Sequence, residues 1–147
     1  MAIAKSAFTG RLFEEECLGR CSVGNNGYIP RYQAMDVVRE NQPWDPSDPE
    51  PSEVNDLHAM IALSLDLEEW ASLKFFTAVG TALDYFHGVD AFVEFQGKVV
   101  TLDLTTHPAK QEGKADIVVH PNDICEAEGR RFLAWRIARL LTAGSGA

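Results

Sequence analysis

The segment VDAFVEFQGKVVTLDLTT, residues 89–106, contains two runs rich in β-branched and aromatic residues that are separated by Gln96 and Gly97. A two-residue connection with glycine in the second place is typical of a tight β-hairpin. We therefore predict a hairpin in which Phe95 and Lys98 flank the turn. Since the turn sets the register, it also determines which residues face each other across the two strands.

The predicted register places Asp90 opposite Asp103. Side chains alternate between the two faces of a strand, so each face can be read from the sequence. The apolar face is expected to lie against the core and carries Val89, Ala91, Val93, Phe95, Val100, Leu102 and Leu104. The other face carries Asp90, Phe92, Glu94, Val99, Thr101, Asp103 and Thr105.

The rest of the chain predicts helices and two further strands around this hairpin. The expected elements are a helix over residues 4–20, a short edge strand over 28–35, helical structure over 56–87, a strand over 114–120 and a helix over 125–141. Asp66 and Glu69 have the spacing of a capping box that starts a helix. Together these elements predict an α/β fold, in which a small mixed sheet with a central β-hairpin is flanked by helices.

The length of 147 residues is that of one domain, and we expect residues 1–147 to form a single domain. Residues 41–56 are rich in proline and acid, which predicts a loop that is either an insertion or a flexible arm. The tail, residues 142–147, is expected to be frayed.

The composition favours a cytoplasmic protein with no membrane partner. No run approaches the ~18 apolar residues of a membrane span, and the first ten residues lack the apolar stretch of a signal peptide. The three cysteines are too few for a disulfide scaffold, and we expect Cys17 and Cys21 to be small buried thiols. The formal net charge of −9 argues against a protein that coats nucleic acid, because phosphate contacts need clustered Lys and Arg.

The predicted pairing of two aspartates points to a metal site. Carboxylates opposite each other on neighbouring strands lie about 5 Å apart and repel, which costs up to about 1 kcal/mol in water and more when they are buried. Mg²⁺, or Mn²⁺ in its place, would offset this repulsion and could activate water beside a phosphate. In the alternative interpretation this face is exposed to solvent, and water and salt hide the repulsion.

The order of these motifs resembles the PD-(D/E)xK nuclease superfamily, which has the restriction-endonuclease-like fold. The matching residues are Gly10 and Glu14 on the first helix, Gly88 and Asp90 at the start of one hairpin strand, and Asp103 on the other. The resemblance implies a restriction-endonuclease-like core and metal-dependent cleavage of DNA. It also implies that Asp90 and Asp103 are metal ligands and that Glu14 is a supporting acid.

The sequence departs from this family at the position of the catalytic lysine. The family has a lysine two residues after the second acid, where it positions or activates water, and this chain has Thr105 instead. A threonine cannot supply a cation. We therefore expect a lysine from the following loop to take over this role, with Lys110 as the first candidate and Lys114 as the second.

Other polar residues are expected to lie outside the site. Three histidines near strand ends match no compact zinc motif, and we expect them to be hydrogen-bonded or exposed: His87, His107 and His120. Four arginines alternate with apolar residues on the last helix, which predicts a packed helix with solvated arginines: Arg130, Arg131, Arg136 and Arg139.

Three functions remain open from the sequence. The first is a metal-dependent nuclease-like protein that hydrolyses DNA with Mg²⁺ or Mn²⁺ through Glu14, Asp90, Asp103 and Lys110. The second is a catalytically inactive relative that binds nucleic acid or a protein partner on the same scaffold. The third is an acidic interaction or inhibitor protein, supported by the net charge. The sequence also leaves the oligomeric state open, a homodimer included.

Overall fold

The predicted hairpin lies at the centre of a four-stranded sheet with the strand order β1-β2-β3-β4. The computed structural model describes residues 10–143. The strands are β1 (Lys74–Thr77), β2 (Ala91–Phe95), β3 (Lys98–Leu104) and β4 (Ile117–Val119). The described residues also form six helices: α1 (Gly10–Leu18), α2 (Arg31–Glu40), α3 (Ser52–Ser64), α4 (Ala82–His87), α5 (Pro121–Cys125) and α6 (Ala127–Thr142).

The register of the hairpin is confirmed. Strands β2 and β3 are antiparallel, with Phe95 opposite Lys98 and Ala91 opposite Leu102. The turn residues Gln96 and Gly97 both have positive φ, 51° and 79°, as a type I′ turn requires. This turn matches the twist of the two strands and so holds the register that the sequence specifies.

The sheet is mixed, as predicted. Strand β1 pairs antiparallel with β2, and β4 pairs parallel with β3. The edge of β1 is closed by the preceding loop, because the Gln42 side-chain amide bonds both backbone groups of Thr77 and the Pro46 carbonyl accepts the N–H of Phe75. An edge strand covered in this way cannot pair with another chain.

Both faces of the sheet are buried. The face predicted to be apolar packs on α1, α3 and α6 in a large core, and Phe13, Leu57 and Ile137 are among its fully buried residues. Val89 is the exception, because it precedes β2 and lies in the core on the other face. The opposite face packs on α2 and α4 in a smaller core, where Phe76 stacks on Phe92 at 4.9 Å between ring centroids. The interpretation of this second face as simply solvent-exposed is therefore wrong.

The helical structure predicted for residues 56–87 holds at its two ends, in α3 and α4, and is wrong for residues 65–81 between them. Helix α3 ends at Ser64 and Asp66 adopts a positive φ of 55°, so the predicted capping box does not start a helix. A single 3₁₀ turn, Trp70–Ser72, then leads into strand β1. Local spacing favoured a helix here, but Phe75 and Phe76 point into opposite cores, and pairing with β2 overrides the local preference.

Two further boundaries differ from the sequence prediction. The segment around residues 28–35 is not an edge strand, because helix α2 begins after Pro30, which occupies the N-cap position. The acid-rich loop ends at Pro51, because helix α3 begins at Ser52 and includes the last residues assigned to the loop. Pro30 and Pro51 each precede the start of a helix, where the missing backbone N–H of proline costs nothing.

The acid-rich loop, residues 41–51, is held in place by its own carboxylates. Asp45 accepts hydrogen bonds from the backbone and hydroxyl of Ser47, and Asp48 accepts one from the side-chain amide of Asn55. With the Pro46 carbonyl on β1, these contacts make the loop a fixed cover of the sheet edge rather than a flexible arm.

The ends of the chain are described only in part. Helix α1 begins at Gly10 in the described residues, and the predicted helical residues 4–9 lie outside them. Helix α6 extends to Thr142, and the part of the tail at 144–147 also lies outside. Cys17 and Cys21 are buried free thiols, as predicted. None of the helices between residues 10 and 143 is long and apolar enough to cross a membrane.

Candidate functional site

The end of the hairpin that lies away from its turn carries a buried carboxyl group. Asp90 directly precedes β2 and is only 3% exposed. Its Oδ2 accepts a hydrogen bond of 2.7 Å from the backbone N–H of Leu104, at the end of the neighbouring strand. This bond fixes the Asp90 side chain at the strand ends, where helices and loops can bring other groups to it.

Two more carboxylates converge on Asp90. Glu14 comes from α1 and Asp84 from α4, and one carboxylate oxygen from each of the three residues lies within 4.8 Å of the others. Asp84 is held by the backbone N–H of Gly80, which donates to its Oδ2 at 2.9 Å. We call Glu14, Asp84 and Asp90 the acidic triad. Its members come from three separate segments, so only the folded chain assembles it.

The acidic triad is electrostatically unfavourable without a cation. Burial raises the pKa of Asp90 far above its ordinary value, and its hydrogen bonds with Glu14 and Asp84 raise it further. Burial also raises the pKa of Glu14, with a smaller contribution from the negative charge of Asp84. One proton therefore stays in the triad at neutral pH and partly replaces the positive charge that three carboxylates require.

Asp103 lies on β3 and forms an ion pair of its own. The Nζ of Lys110 lies 2.6 Å from its Oδ2, and the side chain of Asp103 is only 12% exposed. The negative charge of Asp103 also contributes to the raised pKa of Glu14, which indicates that it lies close to the acidic triad. The structure therefore brings Asp103 together with Lys110, and Asp90 together with Glu14 and Asp84.

The turn after β3 explains how Lys110 returns to Asp103. The hydroxyl of Thr105 accepts a hydrogen bond of 3.0 Å from the N–H of His107. The carbonyl of His107 then accepts the N–H of Lys110 at 3.1 Å, which closes the turn. Thr105 occupies the position where the resembling family has its lysine, and here its hydroxyl helps to form the turn that carries a lysine back.

The second candidate lysine is bound elsewhere. The Nζ of Lys114 donates to the carbonyl of Phe86 at 3.3 Å. Gly113, between the two lysines, passes so close to the ion pair that a Cβ added there would lie 3.2 Å from Oδ2 of Asp103. The loop after Lys110 thus packs tightly on Asp103, and Lys110 is the lysine that contacts this acid.

Asp84 is the site residue that the sequence did not reveal. It fell within the predicted helical structure, where it read as an ordinary polar residue. The available signal is local: Gly80 and Gly88 have positive φ, 88° and 66°, and bracket the short helix α4 just before Asp90. Glycines on both sides of a short acidic segment indicate a chain that bends towards the next strand.

The three histidines bind to groups outside the triad. The Nε2 of His87 lies 2.9 Å from the carbonyl of Ile29, and the Nδ1 of His107 accepts the N–H of Ala109 within its own turn. His120 caps helix α5, where its backbone N–H donates to the Asp123 carboxylate. In the part of the chain that the structure describes, the one cluster of three candidate ligands is therefore made of carboxylate oxygens alone.

An all-oxygen donor set fits a hard divalent cation such as Mg²⁺ or Mn²⁺ rather than zinc, which favours nitrogen and sulfur ligands. The fit is best with the acidic triad as the donor set, because the Asp103 carboxylate already binds an ammonium group. Comparison of the chain with protein-family models, with curated proteins and with solved structures finds no match.

Proposed function

We propose that this protein is a metal-dependent hydrolase of phosphodiester bonds in DNA, with a restriction-endonuclease-like core. The observation that carries the proposal is the acidic triad with the Asp103–Lys110 ion pair next to it at the same end of the sheet. Such hydrolysis uses carboxylates that hold a cation and a lysine that contacts the phosphate. The choice of DNA rests on the resemblance of the sequence.

The proposed ligands are Glu14, Asp84 and Asp90. Their oxygens lie close enough together to share one ion. Burial raises the pKa of Asp90 and of Glu14, and the neighbouring carboxylate of Asp84 adds to the rise in both. Asp103, which the sequence suggested as a ligand, instead becomes the residue that positions Lys110. This assignment keeps all four catalytic residues expected from the sequence and adds Asp84.

When bound, Mg²⁺ would lower the pKa of a coordinated water and neutralise charge on the substrate phosphate. The chain's own residues would do the rest. Glu14, Asp84 and Asp90 would hold the ion, and the bond from Leu104 N–H would keep Asp90 in place. Hydrolysis adds water across one phosphorus–oxygen ester bond, which leaves a phosphate monoester and a hydroxyl.

Lys110 would donate hydrogen bonds either to the attacking water or to a non-bridging oxygen of the phosphate. Its side chain is 39% exposed, so its ammonium group is accessible from solvent, while Asp103 holds it at the site. An ammonium group so placed stabilises the negative charge that grows on the phosphate in the transition state.

Calorimetric titration with Mn²⁺ and Mg²⁺ tests the first half of the proposal, and cleavage of plasmid and single-stranded DNA tests the second. We expect one ion per chain, with binding abolished in Asp84→Asn and Asp90→Asn and kept in Asp103→Asn. Cleavage should be lost in Lys110→Ala and unchanged in the matched control Lys114→Ala. Absence of metal binding would refute the proposal, and metal binding without cleavage would identify the inactive relative instead.

A further inference from the structure

Helix α6 exposes large apolar side chains that the sequence predicted to be packed. Leu133 and Ile137 are buried in the core, but Phe132 and Trp135 are 59% and 49% exposed. Their rings stack on each other, with 5.7 Å between centroids and 20° between planes. Leu140 is exposed on the same helix. Single exposed apolar residues are ordinary, but two stacked exposed rings form an apolar surface of the kind that contacts a partner.

The exposed residues form a narrow stripe along α6. Glu128, Phe132, Trp135 and Arg139 are separated by four, three and four residues, the spacing of one seam on a helix. The stripe is acidic at the end near the helix start, aromatic in the middle and basic at the other end. This order is self-complementary, because reversing the helix direction places acid against base and one ring against the other.

The arginines around the stripe are not neutralised by carboxylates. Within residues 10–143, Arg136 and Arg139 contact rings, at 5.8 Å from the Phe132 centroid and 5.0 Å from the Trp135 centroid, but neither has an ion pair. Arg130 on the same helix does have one, with Asp56 at 2.7 Å. The expectation of solvated arginines thus holds for Arg139, whereas Arg130 is tied to the adjacent helix.

We propose that a second copy of this chain binds this stripe, with the two α6 helices antiparallel around a two-fold axis near Leu133 and Ala134. In that arrangement Glu128 of each copy meets Arg139 of the other, and Phe132 of each copy meets Trp135 of the other. A two-fold contact needs a surface that is complementary to itself, and this stripe meets the requirement. Aromatic residues and arginine are also the types enriched at the centres of protein interfaces.

A nucleic acid fits the stripe less well. Stacked rings and arginines can bind bases and phosphates, but Glu128 at one end of the stripe would repel a phosphate, and the chain has a net charge of −9. A second copy uses the glutamate as well as the arginine. This inference is independent of the proposed hydrolase activity, because α6 packs on the face of the sheet opposite to that of α4, which carries Asp84.

Sedimentation equilibrium over a range of protein concentrations tests the proposal. We expect dimers, with the dissociation constant raised at least about tenfold in Trp135→Glu and in each of Glu128→Arg and Arg139→Glu. The double swap Glu128→Arg with Arg139→Glu should restore the dimer, because it reverses both charges of each pair. The matched control Tyr32→Glu, on the exposed part of α2, should have no effect, and circular dichroism would verify that each variant is folded.

Three results would overturn the proposal. The first is a monomer at every concentration tested, and the second is a dimer that persists unchanged in Trp135→Glu. The third is a dimer that each single charge swap weakens but the double swap does not restore. If the chain is monomeric and a single-stranded oligonucleotide binds in a way that Arg136→Ala and Arg139→Ala weaken, the stripe belongs to nucleic acid instead.

Discussion

Two acidic regions of this molecule use carboxylates in opposite ways. In the acid-rich loop Asp45 and Asp48 each accept a hydrogen bond from a nearby donor, and the bond from the Ser47 backbone lowers the pKa of Asp45. In the acidic triad the carboxylates of the half-buried Glu14 and Asp84 face the buried Asp90, and burial raises the pKa of Asp90 and Glu14. The loop is the more acidic stretch of sequence, yet both of its aspartates have hydrogen-bond donors. A candidate cation site therefore arises from tertiary convergence and not from acidic composition.

Replacing a triad carboxylate should have the largest effect. Asp90→Asn and Asp84→Asn are expected to reduce cleavage of DNA about 10³-fold or more, because each removes a ligand of the proposed ion. The matched control is Asp45→Asn in the acid-rich loop, which should cleave like the parent. Rates measured at saturating Mg²⁺ check this. Equal losses in the triad and loop variants would remove the distinction between the two regions.

Lys110→Ala should have the next largest effect. We expect cleavage to fall about 100-fold with metal affinity little changed, because the ammonium group would act on the phosphate or water and not on the ion. Lys114 contacts a backbone carbonyl, so the control Lys114→Ala should behave like the parent. A Lys110→Ala variant with full activity would show that the Asp103–Lys110 pair is only structural.

The stability of the metal-free protein should depend on pH through the triad. Because the folded-state pKa of Asp90 is raised above the unfolded value of 3.8, its contribution to stability is full below that value and declines as the pH rises towards the folded pKa. Denaturant unfolding in EDTA should show the parent losing at least about 1 kcal/mol more than Asp90→Asn between pH 5.5 and 8. Identical pH profiles of the two proteins would mean that Asp90 carries no shared proton.

The acid-rich loop should give the smallest effect. Neutralising it with Asp45→Asn and Asp48→Asn is expected to leave metal affinity and cleavage unchanged, because its carboxylates bond to Ser47 and Asn55. Calorimetry and cleavage assays on the double variant measure this. If the double variant instead loses a binding partner of the protein, that result would support the hypothesis of an acidic interaction protein.

The part of the fold that was predictable depends on local chemistry. The positive-φ turn at Gln96 and Gly97 fixed the hairpin register, and the register located Asp90 and Asp103 on their strands. Strand β1 could not be inferred in this way. Phe75 and Phe76 have no local turn signal, and their conformation is determined by pairing with a strand that follows later in the chain.

The candidate site was predictable to the extent that it lies on those elements. Asp90 could be named from the hairpin register, Glu14 from the resemblance to the nuclease superfamily, and Lys110 because Thr105 stands where that family has its lysine. Asp84 could not be named, because its position beside Asp90 depends on strand β1, which the sequence did not predict. The backbone register did not determine which groups the two aspartates would bind, and Asp90 bonds Leu104 N–H while Asp103 bonds Lys110.

Proton release on metal binding tests the shared-proton account of the triad most directly. Mn²⁺ is titrated into the protein at pH 7 in two buffers of different ionisation enthalpy, so that the difference in heat counts the protons released. We predict one ion bound per chain and about one proton released, with both lost in Asp90→Asn. Metal binding without proton release would contradict the shared proton, and binding that survives in Asp90→Asn would contradict the claim that three convergent carboxylates form a cation site.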